Sequence, residues 1–279
     1  MTAHATDPRP VRRVSAVTAT GASSEEDFDP VVVEAPLSIA VAGEVLATTM
    51  RTPGHDEDLA VGWLASETDL SGRDQLLSIE RTGAARSAVS VVEESVDTVA
   101  LTVSGDVALP RPRAFLTSSS CGICSAEVIE ATPRPRVSLH SADWQLTPQQ
   151  AHQWVSAMRT EQKMFELTGS LHAAAIIAPD GILQVVREDV GRHNAVDKVI
   201  GSAFLAGNYP LTDHTLVVSG RVSYEIVAKA LRACVAGIVA VSGPTTLAVD
   251  LARAHGLVLV GFTREDRLNV YAGGERVAL

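Results

Sequence analysis

Two cysteines three positions apart, Cys121 and Cys124, follow three hydroxyl residues in the run Ser118-Ser119-Ser120-Cys121-Gly122-Ile123-Cys124-Ser125. Serine is a favoured helix N-cap, and a helix opening at 126–131 would present unpaired N–H groups and its positive dipole end to the sulfur. Both stabilise a thiolate and lower its pKa from about 8.5, which makes a sulfur nucleophile. Half of a structural zinc site has the same spacing, but the chain contains no second C-x-x-C and no H-x-x-x-H pair to complete four ligands. Thioredoxin-like chemistry needs the motif between a strand and a helix of a βαβ unit, whereas here it lies in a link just after Pro110 and Pro112. His55-Asp56-Glu57 spells the H-x-E of zinc deaminases upstream of the cysteines. Against that reading, Ser120 rather than proline precedes Cys121, and the acidic residues already make a helix start. Cys234 shares an apolar stripe with Val227 and Leu231 and reads as core.

A second group of residues suits anion binding. Ser219-Gly220-Arg221-Val222-Ser223 joins a glycine, an arginine and a helix start at a strand end, the arrangement that holds phosphate. Arg264 and Arg267 follow the last predicted strand and add two planar guanidinium forks. The link Arg187-Glu188-Asp189-Val190-Gly191-Arg192-His193-Asn194-Ala195-Val196-Asp197-Lys198 crowds Arg192, His193, Asn194 and Lys198 between a strand and a helix, either as a ligand cluster or as a solvated turn. His172, after Thr168-Gly169-Ser170-Leu171, stands either at a site or at an ordinary core edge behind a helix C-cap.

Local cations matter because the chain is acidic overall. Lys+Arg 23 against Asp+Glu 33 gives a net charge of -10, which excludes a protein whose main task is gripping nucleic acid. An odd three cysteines make no disulfide framework and fit a reducing compartment, so the cytoplasm is the default location. No apolar run reaches the roughly 18 residues of a membrane helix. Arg12-Arg13 is not followed by a sustained apolar segment, so a signal peptide is not expected either.

The elements that must position these groups read as α/β. Aromatics are only 4% of residues, so the core rests on Val, Ala and Leu, a palette for sheets buried under helices. Residues 1–29 show no periodicity and read as a disordered tail. Residues 30–110 read as a small α+β domain with a hairpin around Gly43, a helix from His55 to about Ser66, and strands at 88–93 and 99–103. Residues 111–140 form the link that carries the cysteines. Over 141–279 a long amphipathic helix at 148–165 precedes alternating strands and helices, the pattern of a three-layer α/β/α domain. Ligands of such sheets lie beyond the strand ends, so 219–221, 242–244 and 263–264 should converge on one crevice.

Taken together, these residues resemble the FdhD/NarQ family of formate dehydrogenase accessory sulfurtransferases. The resemblance extends from about Pro36 to Tyr271. It runs through Thr52-Pro53-Gly54 with Glu57-Asp58-Leu59-Ala60-Val61-Gly62, the C-x-x-C run, Phe165 with Thr168-Gly169, and His172-Ala173-Ala174. It continues through 188–198, Ser219-Gly220-Arg221, Gly261-Phe262 and Asn269-Val270-Tyr271, and departs at Ser125 and Ser170, where the family often has glycine. It implies transfer of persulfide sulfur from a cysteine desulfurase to a molybdenum bis(guanine dinucleotide) cofactor destined for formate dehydrogenase. It implies a C-terminal domain of cytidine deaminase-like fold without that fold's zinc, so no metal is held by the protein, and it favours a homodimer. Cys121 becomes the persulfide carrier and Cys124 an assisting or resolving thiol. The segment Phe262, Thr263, Arg264, Glu265, Asp266 and Arg267 lies against the dinucleotide, with Arg221, His172, Arg192, His193, Asn194 and Lys198 as further cofactor contacts. A non-catalytic cofactor chaperone and a zinc-dependent deaminase-like hydrolase stay open as alternatives.

Overall fold

Short Val-, Ile- and Ala-rich runs become the strands of two mixed sheets. The structure, a computed structural model, describes residues 5–14, 24–82, 96–110, 116–117, 134–264 and 267–278. The larger sheet contains β8 (His172–Ile177), β9 (Leu183–Asp189), β10 (Thr215–Val218), β11 (Gly237–Ala240), β12 (Val258–Arg264) and β13 (Arg267–Ala272) in the order β13-β12-β11-β10-β8-β9. The central β10, β11 and β12 are parallel, with α5 (Tyr224–Arg232) and α6 (Thr246–His255) in the crossovers; β8, β9 and β13 pair antiparallel at the flanks. Every residue of β10 and β11 is buried, as strands covered on both faces require. Alternate residues serve opposite layers: Leu216 and Val218 face the cluster that includes α4 (Arg192–Leu205), α5 and α6, while Val217 packs with Met158 and Trp154 of α2 (Pro148–Glu161).

The smaller sheet has the order β5-β6-β3-β4-β7, from β3 (Ala35–Val41), β4 (Glu44–Arg51), β5 (Leu76–Thr82), β6 (Asp97–Val103) and β7 (Leu116–Thr117). Its β3–β4 hairpin turns at Ala42-Gly43, with φ of 51° and 85°, the left-handed pair that a two-residue hairpin turn demands. The helix α1 (Asp56–Glu67) is buried continuously from Leu59 to Ser66, so it lies between layers rather than on a surface. It crosses α4 with the two backbones in contact. A Cβ built at Gly62 would lie 1.8 Å from the Asp197 carbonyl oxygen, and one at Gly201 1.8 Å from that of Asp58. Through this crossing one apolar cluster runs from Leu37 to Ala272 and joins the two sheets into a common core.

Three expectations change. Residues 6–14 and 24–32 are not patternless tail: β1 (Thr6–Val14) and β2 (Ser24–Val32) form an antiparallel ribbon. Its register runs from Thr6 across from Val32 to Val14 across from Ser24, so main-chain pairing makes strands where the sequence shows no apolar periodicity. The predicted helix at 148–165 breaks at Gln162 into α2 and α3 (Lys163–Thr168). The Glu188 carboxylate accepts from the N–H groups of Met164 and Phe165 at 3.0 and 2.7 Å, so a distant side chain caps a new helix start. The edge strands β5 and β13 escaped the sequence reading altogether, and the strand expected at 88–93 lies outside the described residues. Among the described residues no helix is long and apolar enough to cross a membrane.

The helix crossing makes a direct prediction. Gly62→Ala forces a methyl into the Asp197 backbone and should destabilise the protein by about 3 kcal/mol in denaturant unfolding. Gly105→Ala, with nothing within 4 Å of the added carbon, should stay within about 0.5 kcal/mol of wild type.

Candidate functional site

Parallel strands finish on one edge, and here β10, β11 and β12 end beside the start of β8. Ser219 follows β10 and locks it to β8: its N–H donates to the Ala173 carbonyl at 3.0 Å, and its Oγ accepts from the Ala173 N–H at 2.9 Å. Gly220 then passes close to a histidine, since a Cβ there would lie 3.2 Å from His172 Nδ1 and 3.6 Å from Arg192 Cβ. The loop after β11 joins in through the Val222 N–H, which donates to the Gly243 carbonyl at 3.2 Å. At the end of β12 a bulge between Gly261 and Arg264 holds Phe262 at a φ of 51° with its ring against Gly243. Arg264 Nε donates to the Val241 carbonyl at 3.2 Å. The three segments beyond the strand ends therefore meet.

Between this edge and α2–α3 lies a cleft of about 770 Å³. Its strand-end wall carries His172, Ser219, Thr263 and Arg264; its helix wall carries Val155, Met158, Arg159, Gln162 and Phe165. Burial, then the positive charges of Arg192, His193 and Arg221, push the His172 pKa below its ordinary value, only partly opposed by Asp189. His172 is thus held toward its neutral imidazole form, beside the guanidinium groups of Arg192 and Arg221. Arg192 and His193 occupy the first turn of α4, where the helix dipole adds to that field. His193 Nε2 lies 2.8 Å from Glu225 Oε2 and 3.1 Å from Ser223 Oγ, which ties α4 to the start of α5. Arg221 is exposed, and Arg264 and Arg267 are cross-strand partners at the β12–β13 end, both exposed.

Two residues read from sequence as cofactor contacts do other work. Lys198 is 1% exposed and its Nζ is saturated by Asp189 Oδ2 at 2.7 Å and the carbonyls of Thr52 at 2.9 Å and Glu188 at 3.4 Å. Asn194 donates through Nδ2 to the Met50 carbonyl at 2.8 Å and Asp189 Oδ1 at 3.0 Å, and accepts from Thr49 Oγ1 at 3.3 Å. Asp189 also accepts from the N–H groups of Thr52 and Gly191. These groups clamp β4 and the following turn to the large sheet; burial leaves them no donor for a ligand. The cluster at 187–198 thus divides, with Arg192 and His193 at the crevice and Asn194 and Lys198 inside. His55 and Asp56 are also structural. His55 Nδ1 lies 3.5 Å from Asp58, and Asp56 takes Arg51 and Arg81.

Cys121, Cys124, Glu265 and Asp266 lie outside the described residues. The sequence reading missed the helix wall of the cleft. Its signal was present, because His152, Ser156 and Arg159 fall at i, i+4 and i+7, a polar stripe beside the apolar one of Ala151, Val155 and Met158.

Comparison with known proteins finds that residues 32–278 match the FdhD/NarQ family. The sulfur carrier protein FdhD of Streptomyces avermitilis is 43% identical over 256 residues, 90% of each chain. The sulfur carrier protein FdhD of Mycolicibacterium paratuberculosis is 40% identical over 274 residues, 95% of this chain and 97% of the other. Among solved structures, a chain described as a candidate formate dehydrogenase accessory protein from Desulfotalea psychrophila has the same fold. It gives a TM-score of 0.70 at 22% identity, covering 97% of this chain and 99% of that one.

The environment of His172 predicts a pH response. With its folded-state pKa below the unfolded value of about 6.5, the unfolded chain binds more protons in the window below that value, so stability falls as pH drops through it. The His172 imidazole should titrate below 6.5 by NMR. His172→Gln should flatten the loss of stability between pH 7.5 and 5, and an anion in the cleft should move the midpoint upward.

Proposed function

Because the chain belongs to the FdhD/NarQ family, we propose that it is a sulfur carrier in formate dehydrogenase maturation, taking persulfide sulfur from a cysteine desulfurase and passing it to molybdenum bis(guanine dinucleotide). The observation that carries the reading is a cationic crevice at the strand ends of a chain whose net charge is -10. An acidic protein repels anionic cargo except where local cations reverse the field, and a dinucleotide cofactor brings pyrophosphates to such a place. Arg192, Arg221 and Arg264 would meet those phosphates, with the α4 N-terminus behind them. The cofactor, as acceptor, supplies the metal that takes up the sulfur; the chain's own groups bind, orient and deliver.

Delivery starts at the cysteines. The Cys121 thiolate attacks the outer sulfur of the donor's persulfide; the donor's S–S bond breaks, its cysteine leaves as a thiolate, and a new S–S bond forms on Cys121. Attack of the Cys124 thiolate on Cys121 then frees hydrosulfide and leaves a Cys121–Cys124 disulfide, so the electrons balance within the C-x-x-C pair until a cellular dithiol reduces it. Chain geometry supports delivery to this side of the molecule. Thr117 pairs with Thr49, whose hydroxyl donates to Asn194, two residues beyond Arg192. Cys121 follows Thr117 by four positions, a span of at most about 14 Å.

The test is an intact-mass measurement after incubation with a desulfurase and cysteine. Wild type should gain one sulfur and Cys121→Ala none, with unchanged denaturation. If Cys121→Ala matured formate dehydrogenase fully, the sulfur-carrier reading would fall in favour of cofactor shielding alone. Arg264→Ala should separate the two activities. It should weaken GDP binding roughly ten- to a hundredfold in titration calorimetry, the loss of one or two charge-assisted hydrogen bonds, while still accepting sulfur on Cys121.

A further inference from the structure

One carboxylate ties the strand side of the cleft to its helix side. Glu188 pairs across the sheet with Ala173, next to the pair of Asp189 and His172, and its backbone carbonyl accepts from the buried Lys198 Nζ at 3.4 Å. Its side chain leaves on the face that Ala173 shares with α2, where Oε1 accepts from the Phe165 N–H at 2.7 Å and Oε2 from the Met164 N–H at 3.0 Å. These two bonds matter because little else anchors α3. The helix has six residues, too few to be stable alone, and none of them is buried, whereas α2 anchors itself through Ala151, Trp154 and Met158. It starts at Gln162, whose ψ of 63° is not helical and whose side chain makes no cap, and it ends at Gly169 in the left-handed region with a φ of 66°. The helical path is therefore interrupted on both sides. The helix also touches β2 and the exposed Arg159, whose guanidinium carbon lies 4.2 Å from the Phe165 ring centroid. Neither contact replaces a buried anchor.

We propose that Glu188 is a positioning residue for the crevice: its carboxylate sets the distance between the strand ends and the α3 part of the opposite wall. The same strand carries Asp189 in its clamp with Lys198, so the frame that orients Arg192 and His193 also places Phe165. Both walls then share one reference. A carboxylate suits the task, because two oxygens take two helix-start N–H groups at once and the helix dipole favours a negative charge there. An anion beside an anion-binding crevice repels phosphate, so Glu188 can help a ligand only through what it holds. This role rests on the reading of the cleft as the cofactor site and deepens it by assigning the group that keeps the two sides of the site in register.

Two variants of the full chain test it, by titration calorimetry with GDP and by amide hydrogen exchange. Glu188→Gln keeps the size but replaces one accepting oxygen with a donor, and Glu188→Asp keeps the charge but withdraws it by one methylene. In both, the Met164 and Phe165 amides should exchange about tenfold faster than in wild type while those of α2 stay unchanged. Both should weaken GDP about five- to tenfold. Loss of a repulsive charge alone would make Glu188→Gln bind GDP more tightly than wild type, so the sign separates position from field. Melting temperatures within about 4 °C of wild type control for folding. The role is overturned if the α3 amides are freed yet GDP binds as in wild type or more tightly, or if those amides keep their protection. It is also overturned if α2 loses protection in parallel, because Glu188 would then support the whole layer rather than α3. Wild type that does not bind GDP overturns the cofactor-site reading itself, and with it any positioning role, whatever the exchange shows.

Discussion

Everything at the crevice depends on two helices whose backbones touch. At the α1–α4 crossing, Gly62 and Gly201 each leave the space that a neighbouring carbonyl fills, so the axes approach closer than any side chain would permit. Packing at that distance fixes α4 in rotation as well as position, and its first turn carries Arg192 and His193. Just below the crossing, Asp197 turns its carboxylate to Lys229 Nζ at 2.7 and 2.9 Å and to Ser66 Oγ at 3.2 Å. Burial works against the Lys229 charge, but Asp197 and Glu67 outweigh it and hold the amine protonated, its pKa raised. Such a pair adds little net stability and much penalty for misplacement, which suits a joint that must hold one register among α1, α4 and α5.

The polar clamp around Asp189 extends the same logic to the sheets. Lys198, Asn194, Thr52 and Asp189 lie where β9 ends, where α4 begins and where β4 turns toward α1. Each is satisfied by another segment, so none tolerates a slip without orphaning a buried donor or acceptor. The cluster of cations, amides and carboxylates at 187–198 therefore divides between the wall of the crevice and the frame behind it. The division follows from burial rather than from residue type.

The crevice shows how an acidic protein presents a positive surface. Its cations sit at strand ends and a helix start, where backbone amides add to the field, and burial, then the neighbouring positive charges, holds the His172 pKa below its ordinary value. Backbone strain gathers here too: Phe262 has a φ of 51°, a rare conformation for an aromatic residue, stabilised by its ring on Gly243 and by the bulge of β12.

By itself the sequence determined the order of elements from 172 to 264, the β3–β4 hairpin, the span of α1 and the strand-end location of the crevice. Each rests on local patterns such as apolar alternation, turn glycines and helix-start residues, which neighbours in the chain dictate. Tertiary structure decided the rest. Glu188 capped α3 from a strand far along the chain and split a helix that periodicity joined. Main-chain pairing formed β1 and β2 where composition indicated no structure. Lys198 and Asn194 went inward while Arg192 and His193 remained at the crevice, because a helix advances about 100° per residue and only the docking of α1 determines which direction is inside. Which polar groups face the crevice is a property of burial, and burial is set by contacts between segments that the sequence keeps far apart.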